Sequence, residues 1–287
     1  MKDMIWISTS LFCCKSQWNK LFANGIIPFV TNNLLDAYTI EFNYLNGENV
    51  RFSMLTAETN APTIANHADE HFKKYFLNSN LFASEIRLPT GEIFMSFPSN
   101  IIRYGLYPPQ KIAPNEKRKY SFPIELSQII LNALKDDVID DETILTLSIY
   151  LQIGLIKVIN NFHPGFISRF RPLILKDRAQ THISDTSVLR TKFENTKHIF
   201  IEIANDVMDN TSEVDNPGWL EKWCNICEIE INKTSGKSKA ETIYQEMLFT
   251  VHKHLGIPVQ VKTTLSYFIE QVLLYRDYTN GLTKNIR

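Results

Sequence analysis

The sequence predicts an α+β fold, with a sheet-rich N-terminal part packed with a largely helical C-terminal part. Three observations carry that prediction. β-Branched and aromatic runs crowd into the first third of the chain, longer apolar-periodic runs follow one another from residue 121 onward, and 44% hydrophobic with 11% aromatic residues over 287 positions can supply a core. The chain reads as a single domain over 1–287, with a sheet-rich subregion at 1–112 and a mainly helical subregion at 121–287.

Met4 to Phe12 reads as the first strand, and Gln17 to Asn24 as a short helix that Gly25 and Pro28 bring to an end. Two strand-like runs, from Asp36 to Tyr44 and from Asn49 to Leu55, flank Asn46-Gly47. That dipeptide favours the left-handed dihedrals of a tight turn, so the pair predicts a hairpin. Alternation along its second strand puts Arg51, Ser53 and Leu55 on one face, with Val50, Phe52 and Met54 on the other. Asn66 to Leu77 reads as a helix and Glu85 to Phe97 as a second hairpin turning near Pro89-Thr90-Gly91. Pro98 to Pro109 is a rigid aromatic loop whose prolines deny it a continuous helix. The polar, basic run from Ala113 to Tyr120 is a linker.

Beyond it, helices are predicted near 124–136, 141–160, 191–208, 216–231, 238–255 and 261–278, with Thr211 to Pro217 as a late loop. The 141–160 segment also alternates with strand period through Leu145, Leu147, Ile149, Leu151 and Ile153, and its length decides for a helix. No repeat, heptad series or low-complexity tract interrupts the pattern.

Charge and composition exclude several classes. Thirty Lys plus Arg against thirty-one Asp plus Glu give a net charge of -1, so no global field draws the chain to nucleic acid. The apolar stretch Thr143 to Ile156 is interrupted by polar residues and stops at Lys157, so no membrane span is expected. The N-terminus makes a poor signal peptide, and four scattered cysteines fit a reduced, cytoplasmic protein better than a disulfide framework. Cys224 and Cys227 have metal or redox spacing but lack a second pair, so ordinary buried thiols are expected and no metal. The phrases GxSxG, HExxH, GxGxxG and GxxxxGK[ST] do not occur, which removes the simplest support for hydrolase, zinc-protease, dinucleotide and P-loop chemistry.

His67 and His71, four apart, share a helix face and read as surface residues rather than a metal pair. His163, in Asn-Phe-His-Pro-Gly, reads as a helix cap. His252 and His254 close a helical run ahead of Gly256 and Pro258, where helix-end charge compensation is the ordinary role for a histidine and titration near neutrality the functional one. Arg51 as a solvated strand residue and Arg103 as a pin for its proline-rich loop are the corresponding structural readings of those two side chains.

The order of features nevertheless resembles the thiopeptide-type bacteriocin biosynthesis family, related to the C-terminal glutamate-elimination (lyase) domain of class I lanthipeptide dehydratases. The likeness runs nearly end to end. An opening Trp-containing strand precedes a helix running to Ile26-Ile27-Pro28, and then a strand with an arginine, where Asn49-Val50-Arg51-Phe52-Ser53 keeps one arginine of a His-x-Arg-x-Arg phrase. Arg103-Tyr104-Gly105 matches the core of Glu-x-x-Arg-Tyr-Gly-Gly, with Asn100 in place of its acid. His252-Lys253-His254-Leu255-Gly256 is a shortened form of His-Met-x-x-Asn-Arg-Leu-x-Gly ahead of a final helix.

The resemblance implies a lyase that removes glutamate from glutamylated Ser or Thr of a ribosomally made precursor peptide, leaving dehydroamino acids. It implies Arg51 and Arg103 for glutamyl recognition and charge stabilisation, Tyr104 beside them in substrate binding, and His252 for proton transfer, with His254 as a substrate-binding residue and the alternative base. Arginine's planar fork suits carboxylates, and preorganised charge aimed at an enolate oxygen accelerates elimination. No cofactor is implied. The partners would be the modified precursor peptide and a separate glutamylation enzyme. Two alternatives stand beside the lyase: a non-catalytic protein that binds the precursor or a partner enzyme, with strand addition as one mode, and a pyridine-forming cycloaddition enzyme of thiopeptide assembly.

Overall fold

The computed structural model describes residues 3–33, 35, 37–79, 97–112, 120–167, 186–209, 218–234 and 239–284. The expected hairpin at Glu85 to Phe97, nearly all of the linker at Ala113 to Tyr120 and the loop at Thr211 to Pro217 lie outside the described residues, apart from Phe97 and Tyr120. The fold class is α+β, with the strands within the first 112 residues and long helices following from 121. The chain forms two compact units, Met1–Ile144 with Lys253–Gly256, and Leu145–His252 with Ile257–Arg287.

In the first unit, β1 (Met4–Phe12) is the centre of an antiparallel sheet. β3 (Asn49–Ala57) pairs with it along its whole length, and β2 (Tyr38–Asn43) pairs outside β3. On the other side of β1, two three-residue strands share the edge: β4 (Ile101–Arg103) opposite Ser10 to Phe12, and β5 (Gln110–Ile112) opposite Met4 to Trp6. The β2–β3 hairpin turns as expected, with Asn46 at φ 59. β4 and β5 are departures from the reading of 98–109 as loop alone, because three residues carry too little alternation to register as strands.

One face of the sheet is apolar. Phe42, Val50, Phe52 and Leu11 point to it, and it is covered by a helical run and by α3 (Ala61–Asn78). The run consists of α1 (Trp18–Leu21), a π-helical turn at Phe22–Ile26 and α2 (Ile27–Asn32). Phe29, Phe52 and Phe72 meet pairwise at 5.4–6.0 Å between ring centroids, and Phe22 stacks on Phe42. The sequence reading ended the first helix near Gly25 and Pro28; the chain instead continues helically to Asn32. Pro28 falls in the first turn of α2, where its missing N–H costs nothing, and the π turn absorbs the change of register.

α4 (Ser121–Leu134) lies along the free edge of β2. Leu55 N–H donates to Ala37 carbonyl, so Ile40, three residues on, points its own N–H away from β3, and that N–H donates to Ser127 Oγ at 3.0 Å. A side chain thus closes a strand edge that would otherwise be open to pairing.

α5 (Asp141–Phe162) carries the chain into the second unit, which also contains α6 (Thr186–Asp209), α7 (Gly218–Thr234), most of α8 (Ala240–His254) and α9 (Val259–Lys284). Trp223 is fully buried, and its indole donates to the Leu151 carbonyl at 2.8 Å. Gln152 donates to Tyr244 at 2.6 Å, and Phe193 and Phe200 pack on Phe268. At 22 residues, α5 exceeds the expected apolar stretch and is long and apolar enough by composition to cross a membrane. Yet 67% of its most apolar stretch is buried within the protein, as in a core helix.

Gly256 closes α8 at φ +62, and a Cβ there would sit 2.8 Å from the Phe42 carbonyl oxygen. Both the left-handed backbone and the approach to β2 require glycine. Gly256→Ala is expected to destabilise the first unit by about 2–4 kcal/mol, the sum of αL strain and a clash with backbone that cannot swing aside. Chemical denaturation checks this, and a loss below 1 kcal/mol would mean that Lys253 to Gly256 is not seated on β2.

Candidate functional site

Residues directly opposite one another in an antiparallel sheet share a face. The register pairs Glu41 with Arg51, Arg51 with Ser10, and Ser10 with Arg103. A single lateral row, Glu41–Arg51–Ser10–Arg103, therefore crosses four strands on the face opposite the aromatic core. With strands about 4.8 Å apart, the backbones of Arg51 and Arg103 lie roughly 10 Å from each other with Ser10 between them. Of the rows on either side, one is polar, Thr39, Ser53 and Ser8, with Ser8 and Ser53 hydrogen-bonded at 2.7 Å, and the other runs from Asn43 and Asn49 to apolar Phe12 and Ile101.

Arg51 is held on two sides. Its Nη1 meets Glu41 Oε2 at 3.2 Å, and its guanidinium lies 3.8 Å from the centroid of the Tyr107 ring. Asn43 Nδ2 in turn donates to the Tyr107 hydroxyl. The segment joining β4 to β5 thus arches from Arg103 over the row, with Gly105 at φ +81 turning the chain. Arg103 is anchored through its backbone, whose carbonyl accepts from Thr9 Oγ1 at 3.0 Å, while its exposed guanidinium lies 5.0 Å from the Phe97 ring centroid. It also borders a cleft of about 560 Å³ lined by Lys73, Phe76 and Ile102. A separate cleft of about 520 Å³, lined by Lys20, His71, Lys74 and Tyr75, lies among α1, the π turn and α3.

Glu41 takes a second cation, Lys253 Nζ at 2.8 Å to Oε1. Burial pushes this carboxyl up, but Lys253, Arg51 and His254 outweigh it, and its pKa ends below the ordinary value. One carboxylate thus stands among three cations, Arg51, Arg103 and Lys253, and the surplus positive charge suits an oxygen-rich ligand.

His254 sits behind the row, almost fully buried, with Nδ1 3.3 Å from Ser127 Oγ. Ser127 donates its one proton to the Pro123 carbonyl at 2.8 Å. The Ile40 backbone also hydrogen-bonds the ring, an interaction that favours its protonated form. Burial pushes His254 down to about 4, against the upward pull of Glu41.

The structure brings Arg51 and Arg103 into one row and places His254 beside Glu41. His252 belongs to the second unit, where it is 3% exposed, its Nε2 has no partner, and burial with Lys262 pushes its pKa down to about 3. The helix-end reading of these histidines as charge-compensating is corrected on that ground: desolvation in the interior outweighs the field of a helix terminus. Tyr104 points to the other side of the sheet, its hydroxyl 3.4 Å from the Ala65 carbonyl on α3.

His67 Nδ1 lies 3.0 Å from Asn33 Oδ1, and His71 Nε2 lies 2.9 Å from the Gly25 carbonyl, each ring meeting a structural partner. His163 follows α5, and its carbonyl accepts from Phe166 N–H. Cys13 and Cys227 are buried thiols raised by desolvation, as is half-buried Cys224. Among the described residues no group of three His, Cys, Asp or Glu side chains is placed to hold a metal ion.

Glu41, Ser10, Tyr107, Lys253 and Ser127 were not singled out from the sequence. Glu41 was accessible there, since a hairpin centred on Asn46 sets residue 41 against 51. The others depend on contacts 64 to 212 residues apart in the chain, or on a register with β4 that no local pattern shows.

With the fold and this row described, the class they define is an α+β scaffold presenting a cationic strip on one sheet face. Two solved structures share the fold. The pyridine synthase TbtD from thiomuracin biosynthesis aligns over 93% of this chain and 97% of its own, with a TM-score of 0.66 and 12% identity. TsrL aligns over 96% of each chain, with a TM-score of 0.58 and 10% identity. No family model matches the sequence, and no curated protein does either.

The two lowered histidines set a pH dependence. The folded protein refuses protons that the unfolded chain accepts below about pH 6.5. Stability is therefore full above that value and is lost as pH falls toward 4. Each ring contributes a slope of about 1.4 kcal/mol per pH unit. Denaturation series at pH 7, 6 and 5 should show His254→Gln and His252→Gln each flattening the slope by about one proton, and identical slopes in all three proteins would mean the rings are solvated.

Proposed function

We propose that the protein is a peptide-modifying enzyme in the maturation of a ribosomally made peptide, acting as a pyridine-forming cycloaddition enzyme. The observation that carries this is the end-to-end likeness to a pyridine synthase, 93% of this chain against 97% of that one. The arginine row agrees with it chemically. Ring closure between two dehydroamino acids is favoured by polarising an amide carbonyl, and guanidinium donors preorganised on a rigid sheet polarise oxygen without reorganising; the adduct then becomes a pyridine by losing water and expelling the acylamino group as a carboxamide, the mass loss that the assay reads. His252 and His254, pushed down to about 3 and about 4, are neutral at pH 7 and cannot serve there as imidazolium acids.

Glutamate elimination is the second reading, and the surplus of two positive charges over Glu41 favours it, because the leaving group carries carboxylates. Here Arg51 and Arg103 would bind glutamyl oxygens and His254, of the same unit, would take the α-proton. The partner in either case is the modified precursor peptide.

Intact-mass spectrometry separates the readings when the protein is given a precursor bearing two dehydroalanines and, in parallel, one bearing glutamylated Ser or Thr. The expected result is conversion of the first, with the absorbance of a new pyridine, and a 10²- to 10³-fold slower rate in Arg51→Ala and Arg103→Ala, the usual loss for one donor at a developing charge. Release of glutamate from the second peptide with the first unchanged would replace cycloaddition by elimination. Tight binding of both with no mass change would leave a peptide-binding protein.

A further inference from the structure

Two buried donors stand side by side on the polar face without a partner. Ser10 is 1% exposed and its hydroxyl makes no hydrogen bond; the Nε of Arg51 is equally buried and equally unpaired. The two residues are directly opposite in the β1–β3 register, so their Cβ atoms lie roughly 4.5–5.5 Å apart. The neighbouring hydroxyls on β1 are satisfied, Ser8 by Ser53 and Thr9 by the Arg103 carbonyl. Among the described residues of this face, Trp6 Nε1 and Asn49 Oδ1 are also buried without a partner, but Ser10 and Arg51 are the two that stand directly opposite one another as donors.

Each unsatisfied buried donor costs on the order of 1–3 kcal/mol, so two in contact are not a neutral accident of packing. A single acceptor atom between them would satisfy both. Guanidinium nitrogen can only donate, which requires the ligand atom to be an acceptor, and the surrounding surplus of cations favours one with negative charge or a strong dipole. Nη1 of Arg51 is engaged by Glu41 and its planar face by Tyr107, and Nε–H is a buried donor that neither contact uses.

We infer that Ser10 Oγ–H and Arg51 Nε–H form a two-donor subsite for one oxygen of the peptide substrate, a backbone carbonyl or a carboxylate, and that Tyr107 is the lid over it. This rests on the function proposed above and names what the row grips. The Tyr107 ring covers Arg51 and is latched by Asn43 across the sheet, so the segment between Gly105 and Pro108 swings off before an oxygen reaches Nε–H.

The test reads binding, not turnover. In a ¹⁵N spectrum the Arg51 Nε–H signal, identified by its loss in Arg51→Lys, is followed while glutarate is added, and in a separate arm N-acetylalanine N′-methylamide, which distinguish carboxylate from carbonyl. A saturable shift with either probe is expected. Ser10→Ala should weaken that binding about tenfold or more while raising the thermal midpoint of the free protein, because it deletes an unsatisfied group. Ser8→Ala, one row away, should leave the affinity alone, and Tyr107→Ala should tighten it by removing the closed population.

A silent Nε–H with both probes even in Tyr107→Ala, unaltered affinity in Ser10→Ala, or a lowered midpoint in Ser10→Ala would each overturn the subsite. The wild-type titration alone suffices if a variant does not fold. Probe binding without reaction of either precursor peptide would instead overturn the enzymatic reading and leave the subsite standing.

Discussion

The register of β1 is the constraint on which the site depends. β1 pairs on both sides, and its period of two sends Ile5, Ile7, Thr9 and Leu11 to one face and Trp6, Ser8, Ser10 and Phe12 to the other. A slip of one residue would carry Ser10 into the aromatic layer of Phe42, Phe52 and Phe72 and bring Leu11 between two arginines. The apolar side is packed by full-size aromatic rings that tolerate no such exchange, so the core fixes the register and the register aligns Arg51 with Arg103. The geometry of the arginine row on one face is inherited from hydrophobic packing on the other.

Charge balance holds the row together. Arg51 beside Arg103 across one strand would be repulsive in isolation. Glu41 offsets one guanidinium and Lys253 at once, and the Tyr107 face adds a cation–π contact. Because Glu41 is half shared, neither cation is fully neutralised. Lys253, half exposed, contributes little to stability as an ion pair, so its stronger effect is on the potential felt by whatever lies along the row.

Much of the fold was legible because it repeats over many residues. β1, the β2–β3 hairpin with its two faces, and every long helix from α4 onward follow from period and turn chemistry, and Arg51 was placed on its strand correctly. What escaped was short or non-local. β4 and β5 exist because β1 offers unpaired backbone, a property of the sheet and not of residues 101–103 or 110–112. Ser127 matters because it meets the edge of β2, and Lys253 because it meets Glu41 from 212 residues away. The histidines illustrate the same limit: helix position suggested a raised pKa, whereas burial, which no local window reveals, drives His252 and His254 down.

Places where a local rule is broken carry more functional information than places where it is kept. The molecule satisfies the edge of β2 with a serine aimed at one N–H, and it pairs Ser8 with Ser53 one row from the arginines. The same sheet leaves a hydroxyl and a guanidinium N–H unmet side by side, two donors that one acceptor atom could satisfy together. The unmet pair lies beneath Tyr107, an aromatic side chain that bridges β2 and β3 from a loop rather than from the core. Rigid donors on the strands and a loop residue closing over them make a site that is preorganised to grip and still able to open.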